Sequence, residues 1–297
     1  MRVLLFGASG FLGGHVRRVL AADPRVDEVD CPGRARHDLV EGGVDALTDL
    51  IRSVRPDAVV NCTGRLSGTG HDLTVANTLV TAKLVEAVAT AAPGARLVRL
   101  GSASEYGVVP HGVAVAETDP CEPVSEYGVT HLAATRLLGL ATAAGRVDGV
   151  TMRVFNPVGA GMHPDNLLGR AAALIHGAAR DGVDHVTLAS LGAYRDFVDV
   201  RDAAAAVAAA VTVVDPVDRV FNVASGTAVT CREAIDVLVK VSGWAGEIRE
   251  RGLGPARSIA VDWMLGDISR STAVLGWQPA HTLGDALSDV WAGVGGN

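Results

Sequence analysis

Two short segments hold the side chains that can move a proton. Ser102-Ala103-Ser104-Glu105-Tyr106-Gly107 gathers hydroxyls, a carboxylate and a phenol, and Ser125-Glu126-Tyr127-Gly128-Val129-Thr130-His131 sets a phenol and an imidazole at i and i+4. On a helix that spacing puts Tyr127 and His131 on one face, where an imidazole that both donates and accepts can work beside a phenol. A third segment, Gly7-Ala8-Ser9-Gly10-Phe11-Leu12-Gly13, offers backbone N–H groups with little side chain in front of them. A dinucleotide pyrophosphate needs that at the start of a helix. Each segment also has a plainer reading, since serines cap turns and glycines shape tight strand-to-helix connections. Position decides between the readings.

Short apolar runs at 2–6, 26–30, 58–62, 96–100 and 150–155 read as strands, and the stretches 12–22, 44–54, 73–91 and 125–144 as helices, the last starting at a capping Ser125. This alternation predicts an α/β fold with a Rossmann-type, doubly wound parallel sheet. The glycine loop then occupies the first strand-to-helix turn, and Ser102 the C-terminal end of the fourth strand, the edge where such sheets bind ligands. Asp30, closing the second strand, can accept hydrogen bonds from an adenosine ribose and so favours NAD; Arg34 and Arg36 leave NADP open through its 2′-phosphate. Asp38 and Leu39 are placed either to hold an adenine ring or to serve as a cap and a core residue. Beyond Asn156-Pro157 the pattern loosens, with one more strand at 195–200 and an alanine-rich helix. The expected organisation is a dinucleotide-binding domain at 1–160, rejoined by a segment near 193–223, and a smaller substrate domain at 161–297.

The 297 residues, 48% hydrophobic and 20% charged, form a chain long enough to fold without disulfide or metal staples. A net charge of −7 without a basic block argues against a nucleic-acid partner. The longest apolar run, 203–214, has 12 residues where a membrane span needs about 20. With no export signal read at the N-terminus, a cytoplasmic protein away from membranes is expected. Cys31, Cys62, Cys121 and Cys231 lack CxxC spacing and are expected to be unpaired. The remaining histidines, among them His15, His37 and His281, show no metal-ligand spacing and are expected on the surface or in caps, with no metal bound.

The glycine loop, Ser102 followed by Tyr106-Gly107, the Ser125-x-Tyr127-Gly128 helix start, Arg153-x-x-Asn156 and Arg195-Asp196-Phe197-Val198-Asp199-Val200 together resemble the extended short-chain dehydrogenase/reductase family, its nucleotide-sugar epimerases, dehydratases and reductases above all. The resemblance runs from Arg2 to Leu275-Gly276-Trp277-Gln278-Pro279. Leu191-Gly192-Ala193-Tyr194 and Val261-Asp262-Trp263-Met264-Leu265-Gly266-Asp267 look most like reductases of GDP-4-keto-6-deoxymannose, and Asn156-Pro157-Val158-Gly159-Ala160 also looks like the 4-epimerases.

The resemblance implies NAD, or NADP, held by Gly7, Ser9, Gly10, Phe11, Leu12 and Gly13, with Asp30, Asp38 and Leu39 at the adenosine and Tyr127 and His131 at the nicotinamide end. It implies Tyr127 as the acid/base and Ser102 as a hydrogen-bond partner of the same substrate oxygen. Ser104, Asn156, Arg195 and Arg257 fall where the family holds sugar and diphosphate; arginine suits because its fork binds phosphate bidentately. A homodimer packed through the tyrosine-bearing helix is implied too.

Three positions depart from the family. Its dehydratases carry an Asp-Glu pair where this chain has Ala103 and Ser104, so dehydration lacks its acid and base; Glu105 comes one place late. His131 stands where a lysine is expected. An imidazole with an ordinary pKa of about 6.5 cannot supply a lysine's permanent charge. Alcohol oxidation suffers more from this than reduction, which starts from a protonated phenol of ordinary pKa about 10. The expected activity is therefore NAD(P)-dependent reduction of a nucleoside-diphosphate 4-keto-6-deoxyhexose. The alternatives are an epimerase with tightly held NAD or a redox-impaired cofactor-binding protein.

Overall fold

The computed structural model describes residues 1–252 and 261–294. β1 (Arg2–Phe6) leads through α1 (Phe11–Ala22) to β2 (Glu28–Asp30), and α2 (Val44–Val54) leads to β3 (Ala58–Asn61). A continuous helix follows, made of α3 (Gly70–Leu73), a π-helical stretch (Thr74–Leu79) and α4 (Val80–Ala91). β4 (Arg96–Ser102) ends in a single 3-10 turn (Ala103–Glu105), and α5 (Glu126–Ala143) precedes β5 (Asp148–Val154). The second half contains β6 (Pro157–Val158), α6 (Leu167–Asp181), β7 (His185–Leu188), β8 (Tyr194–Asp196), β9 (Val198–Asp199), α7 (Val200–Thr212) and β10 (Val220–Val223). It closes with β11 (Ala228–Thr230), α8 (Cys231–Ser242), β12 (Glu247–Glu250), α9 (Ser269–Leu275) and α10 (Leu283–Val294).

Six parallel strands in the order β10-β5-β4-β3-β1-β2 form the main sheet. Parallel strands are covered on both faces, and alternate residues serve the two covers. Val3 and Leu5 pack with α1 and α7, whereas Leu4 and Phe6 pack with α2, α4 and α5. β2 and β3 flank β1 on opposite sides, so the connections diverge there and leave a crevice at the strands' C-terminal ends. A second apolar cluster joins α6, α8, α10 and β7.

The predicted helix at 73–91 starts earlier, at Gly70, and widens where the Val80 N–H reaches back to the Val75 carbonyl. The wide turn buries two polar side chains under α5: Asn77 Nδ2 donates to Thr130 Oγ1 at 3.2 Å and Thr78 Oγ1 to the Thr130 carbonyl at 2.8 Å. Gly70–Ala91 is also long and apolar enough to cross a membrane by length and composition, and 56% of its apolar window lies buried in the fold. The predicted strand at 195–200 divides at Phe197, whose ring enters the second cluster. β8 consequently pairs with β11 and β9 with β6. β10 is an addition that periodicity misses, four residues long and laid beside β5. His15 and His37 are buried, contrary to the expected surface or capping places. His15 Nε2 meets the Ala160 carbonyl at 3.0 Å and ties α1 to the loop after β6.

Candidate active site

At the end of β1 the backbone turns through Gly7 with φ +81°, and a Cβ there would lie 2.8 Å from the Cys62 carbonyl carbon. A Cβ on Gly13 would overlap the Gly7 carbonyl oxygen. These two glycines let α1 start hard against the sheet. Gly10 caps α1 without any side-chain hydrogen bond, and Ser9 and Gly10 are exposed while Phe11 and Leu12 are half-buried. Among the described residues no side chain caps the first turn of α1, which fits a dinucleotide pyrophosphate.

Asp30 pairs with Arg36, whose Nη1 lies 2.7 and 2.8 Å from its two oxygens. The carboxylate that would repel a 2′-phosphate is thus neutralised by a group that can bind one. Arg34 is exposed nearby. Asp38 caps the turn that follows it, and Leu39 is a core residue. Asp38 Oδ1 accepts from the Val40 N–H at 2.8 Å, and this bond with a second from Glu41 holds its carboxyl below the usual range. The Leu39 side chain packs in the core with Leu47 and Ile51 rather than in the crevice. Lys83 Nζ fastens this loop by donating to the carbonyls of Leu39, Val40 and Gly42. Arg36→Ala is expected to raise KM for NADPH about tenfold, the equivalent of about 1.4 kcal/mol, while leaving KM for NADH little changed; steady-state kinetics with both cofactors measure it.

Ser102 ends β4 and caps the following turn. Its Oγ accepts from the Ser104 N–H at 3.1 Å, and its own N–H donates to Glu105 Oε1 at 3.1 Å. Ser125 caps α5 by accepting from the Gly128 N–H at 3.1 Å. A Cβ on Gly128 would overlap the Ser104 carbonyl oxygen, so the missing side chain seats the first turn of α5 directly on the Ser102–Ser104 turn. Tyr127, half-buried, belongs to that first turn, and its ring packs on His131 with centroids 4.5 Å apart. Tyr106 is different. Its hydroxyl donates to Asn222 Oδ1 at 2.6 Å, the Arg153 guanidinium covers its ring at 4.6 Å, and burial pushes the phenol well above its ordinary range.

Glu105, which spacing put one place too late for dehydration, is fully buried and structural. Its Oε2 accepts from Arg153 Nε at 3.0 Å and from Thr135 Oγ1 at 2.8 Å. Burial is the largest single influence on Arg153 and lowers its pKa, but the Glu105 carboxylate together with the Tyr106 and Cys121 side chains outweighs it and holds the guanidinium above its ordinary value. Arg99 reaches His131 from β4, its Nη2 lying 3.2 Å from Nδ1. His131 is only 7% exposed. Burial first, and the Arg99 charge second, hold the imidazole well below its ordinary pKa, so it is neutral at neutral pH. Arg99 was missed at the sequence level, although an arginine inside a buried strand is itself a signal.

On the substrate side, Asn156 Nδ2 donates to the Asp196 carbonyl at 2.8 Å, and Arg195 Nη1 to the Tyr194 carbonyl at 2.7 Å. Burial lowers the Arg195 pKa. The buried Asp196 carboxylate accepts from Ser225 N and Oγ, both at 2.7 Å, and from the Gly226 N–H at 3.0 Å, fixing the strand that bears Arg195. Arg257 lies outside the described residues. Ser104 is half-buried beside Ser102. Tyr194 stands in a ring cluster that the spacing did not reveal, its centroid 5.2 Å from His111 and 5.1 Å from Trp263.

Residues 3–224 match the model of the NAD-dependent epimerase/dehydratase family. The chain belongs to that family. It is 37% identical over 303 residues to dTDP-6-deoxy-L-talose 4-dehydrogenase (NAD(P)(+)) of Kitasatospora kifunensis, covering 98% of this chain and 94% of the relative. Among solved structures it resembles RMD from Pseudomonas aeruginosa complexed with NADPH, with a TM-score of 0.86 at 25% identity over 99% of this chain and 97% of that one. It also shares its fold with Thermus thermophilus UDP-glucose 4-epimerase in complex with NAD, at TM-score 0.84 and 23% identity over 100% and 99% of the two chains. The family assignment makes this an NAD(P)-dependent enzyme, and the α1 loop is where its cofactor fits.

Proposed function

We propose that the protein interconverts the C4 ketone and alcohol of a nucleoside-diphosphate 6-deoxyhexose, and that it works as a 4-ketoreductase. The observation that carries this reading is the seat of Gly128 on the Ser104 carbonyl, which brings the Tyr127 turn against the Ser102 turn. The Kitasatospora relative supports the choice of carbon and sugar through its name. A dehydrogenase and a ketoreductase differ only in direction, and reduction is chosen because it starts from a protonated phenol acting as an acid.

Bound NAD(P)H would supply the hydride. Tyr127 donates the proton to the carbonyl oxygen, and the Ser102 hydroxyl, whose oxygen already accepts from Ser104, still has its hydrogen to donate there. Asn156, Arg195 and Arg257 are assigned to the sugar and diphosphate. Mixing the enzyme and NADPH or NADH with dTDP- and GDP-linked 4-keto-6-deoxyhexoses is expected to consume the reduced cofactor, read by absorbance. Unchanged cofactor with every such sugar would remove the proposal.

The subunit contact is assigned to the face of α5 that bears Val129, Leu137 and Leu140, apolar side chains left exposed in the single chain. Sedimentation at twice the 30.5 kDa chain mass is expected, with Leu140→Glu shifting the protein to monomer.

A further inference from the structure

Arg99 and Arg153 share one carboxylate. Arg153 Nε takes the close contact with Glu105 at 3.0 Å, while Arg99 Nη1 stands 3.9 Å from its other oxygen. One positive charge is left over in the buried layer beneath α5. Arg99 is 2% exposed and directs its fork at that helix. Nη1 donates to Thr135 Oγ1 at 2.8 Å and to the His131 carbonyl at 3.4 Å, and Nη2 faces His131 Nδ1 at 3.2 Å. Arg99 Nε is buried and has no hydrogen-bond partner among the described residues, a costly arrangement. Core packing alone would not call for it.

A guanidinium has only donors to offer. His131 Nδ1 must therefore accept, and the one proton of the neutral ring sits on Nε2. The same ring packs on Tyr127 at 4.5 Å, and Arg99 lies within electrostatic reach of that phenol. Around this pocket the charged and titratable groups are Arg99 from β4, Glu105 and Tyr106 at the turn that follows it, Cys121 from the segment before α5, Arg153 from β5, and Tyr127 and His131 from α5.

We propose that Arg99 is a positioning residue of the active site: it holds His131 as the Nε2–H tautomer and supplies, from the neighbouring strand, the fixed positive charge beside Tyr127 that α5 itself does not carry. His131 then acts as a neutral hydrogen-bond donor toward the cofactor's ribose hydroxyls, and Arg99 favours the phenolate left after proton transfer. The inference rests on Tyr127 being the proton carrier.

The test uses the full-length protein without substrate, so its outcome is separate from turnover. Long-range ¹H–¹⁵N correlation of the imidazole rings, with His131→Gln to assign the signal, is expected to show a bare Nδ1, a protonated Nε2 and no ring titration between about pH 8 and pH 6. Absorbance titration of the phenols, with Tyr127→Phe subtracted, reads the phenol at 127 among only three tyrosines. Arg99→Met is expected to free the tautomer and move the phenol titration to higher pH; Arg99→Lys is expected to keep the phenol near the parent position. Should Arg99→Met not fold, Arg99→Gln keeps a donor but no charge and is expected to preserve the tautomer while raising the phenol. A parent ring protonated on Nδ1, or neutral variants that melt earlier with the phenol titration unmoved, would overturn the proposal.

Discussion

Tyr127→Phe is expected to lower kcat by about 10²- to 10⁴-fold, the range a positioned proton donor supplies, with cofactor affinity and melting temperature close to the parent. The substitution removes one oxygen and keeps the ring that packs on His131. Tyr106→Phe is the contrasting control. It deletes a buried 2.6 Å bond to Asn222 and leaves that amide oxygen short of a donor. A cost of about 1–3 kcal/mol in stability is expected there, with much smaller loss of kcat. Cofactor absorbance and thermal melts separate the two tyrosines. Equal losses of kcat in both would contradict the assignment.

Installing the family's lysine at 131 is expected to damage this enzyme. Arg99 Nη2 lies 3.2 Å from the ring nitrogen of a residue that is 7% exposed, and an ammonium there would meet a guanidinium in a buried layer already holding excess positive charge. An uncompensated buried charge costs about 3–5 kcal/mol, which for a chain of this size lowers the melting temperature by about 5–10 °C. His131→Lys is thus expected to melt earlier and turn over more slowly, and adding Arg99→Met is expected to restore stability. A faster, equally stable His131→Lys enzyme would show that Arg99 does not set the charge. The parent's own pH response has a definite sign. The folded imidazole binds its proton more weakly than the unfolded one, so below about pH 6.5 the unfolded chain takes up more protons and stability falls with pH. His131→Gln is expected to lessen that fall in pH-dependent melts.

The main sheet could be read in advance because strands buried on both faces must be nearly continuous apolar runs. The run at 2–6 and the helix at 44–54 agree with β1 and α2 to the residue. β10 was not legible, and the single strand read at 195–200 does not show its break into β8 and β9, whose separate pairings with β11 and β6 depend on the chain's tertiary path. The same holds inside the site. The spacing of Tyr127 and His131 shows in the helix pattern, but the neutrality of His131 depends on Arg99 reaching across from β4. The shared carboxylate depends on register: Gly101 pairs with Arg153, and Glu105 Oε1 occupies the space where a Cβ on Gly101 would be. Asp30 was legible as a strand-end carboxylate, whereas its ion pair with Arg36 depends on the course of the loop between them.

The proposed reaction delivers hydride directly to the sugar's C4, with the proton coming from Tyr127. NADPH carrying deuterium at the transferring position of the nicotinamide, incubated with the 4-keto-6-deoxyhexose nucleotide, is predicted to leave that deuterium on C4 of the product, and Tyr127→Phe is predicted to leave almost none in the same time. Cofactor oxidised with no label in the sugar would rule out direct transfer to C4, and equal labelling by Tyr127→Phe would rule out Tyr127 as the proton donor.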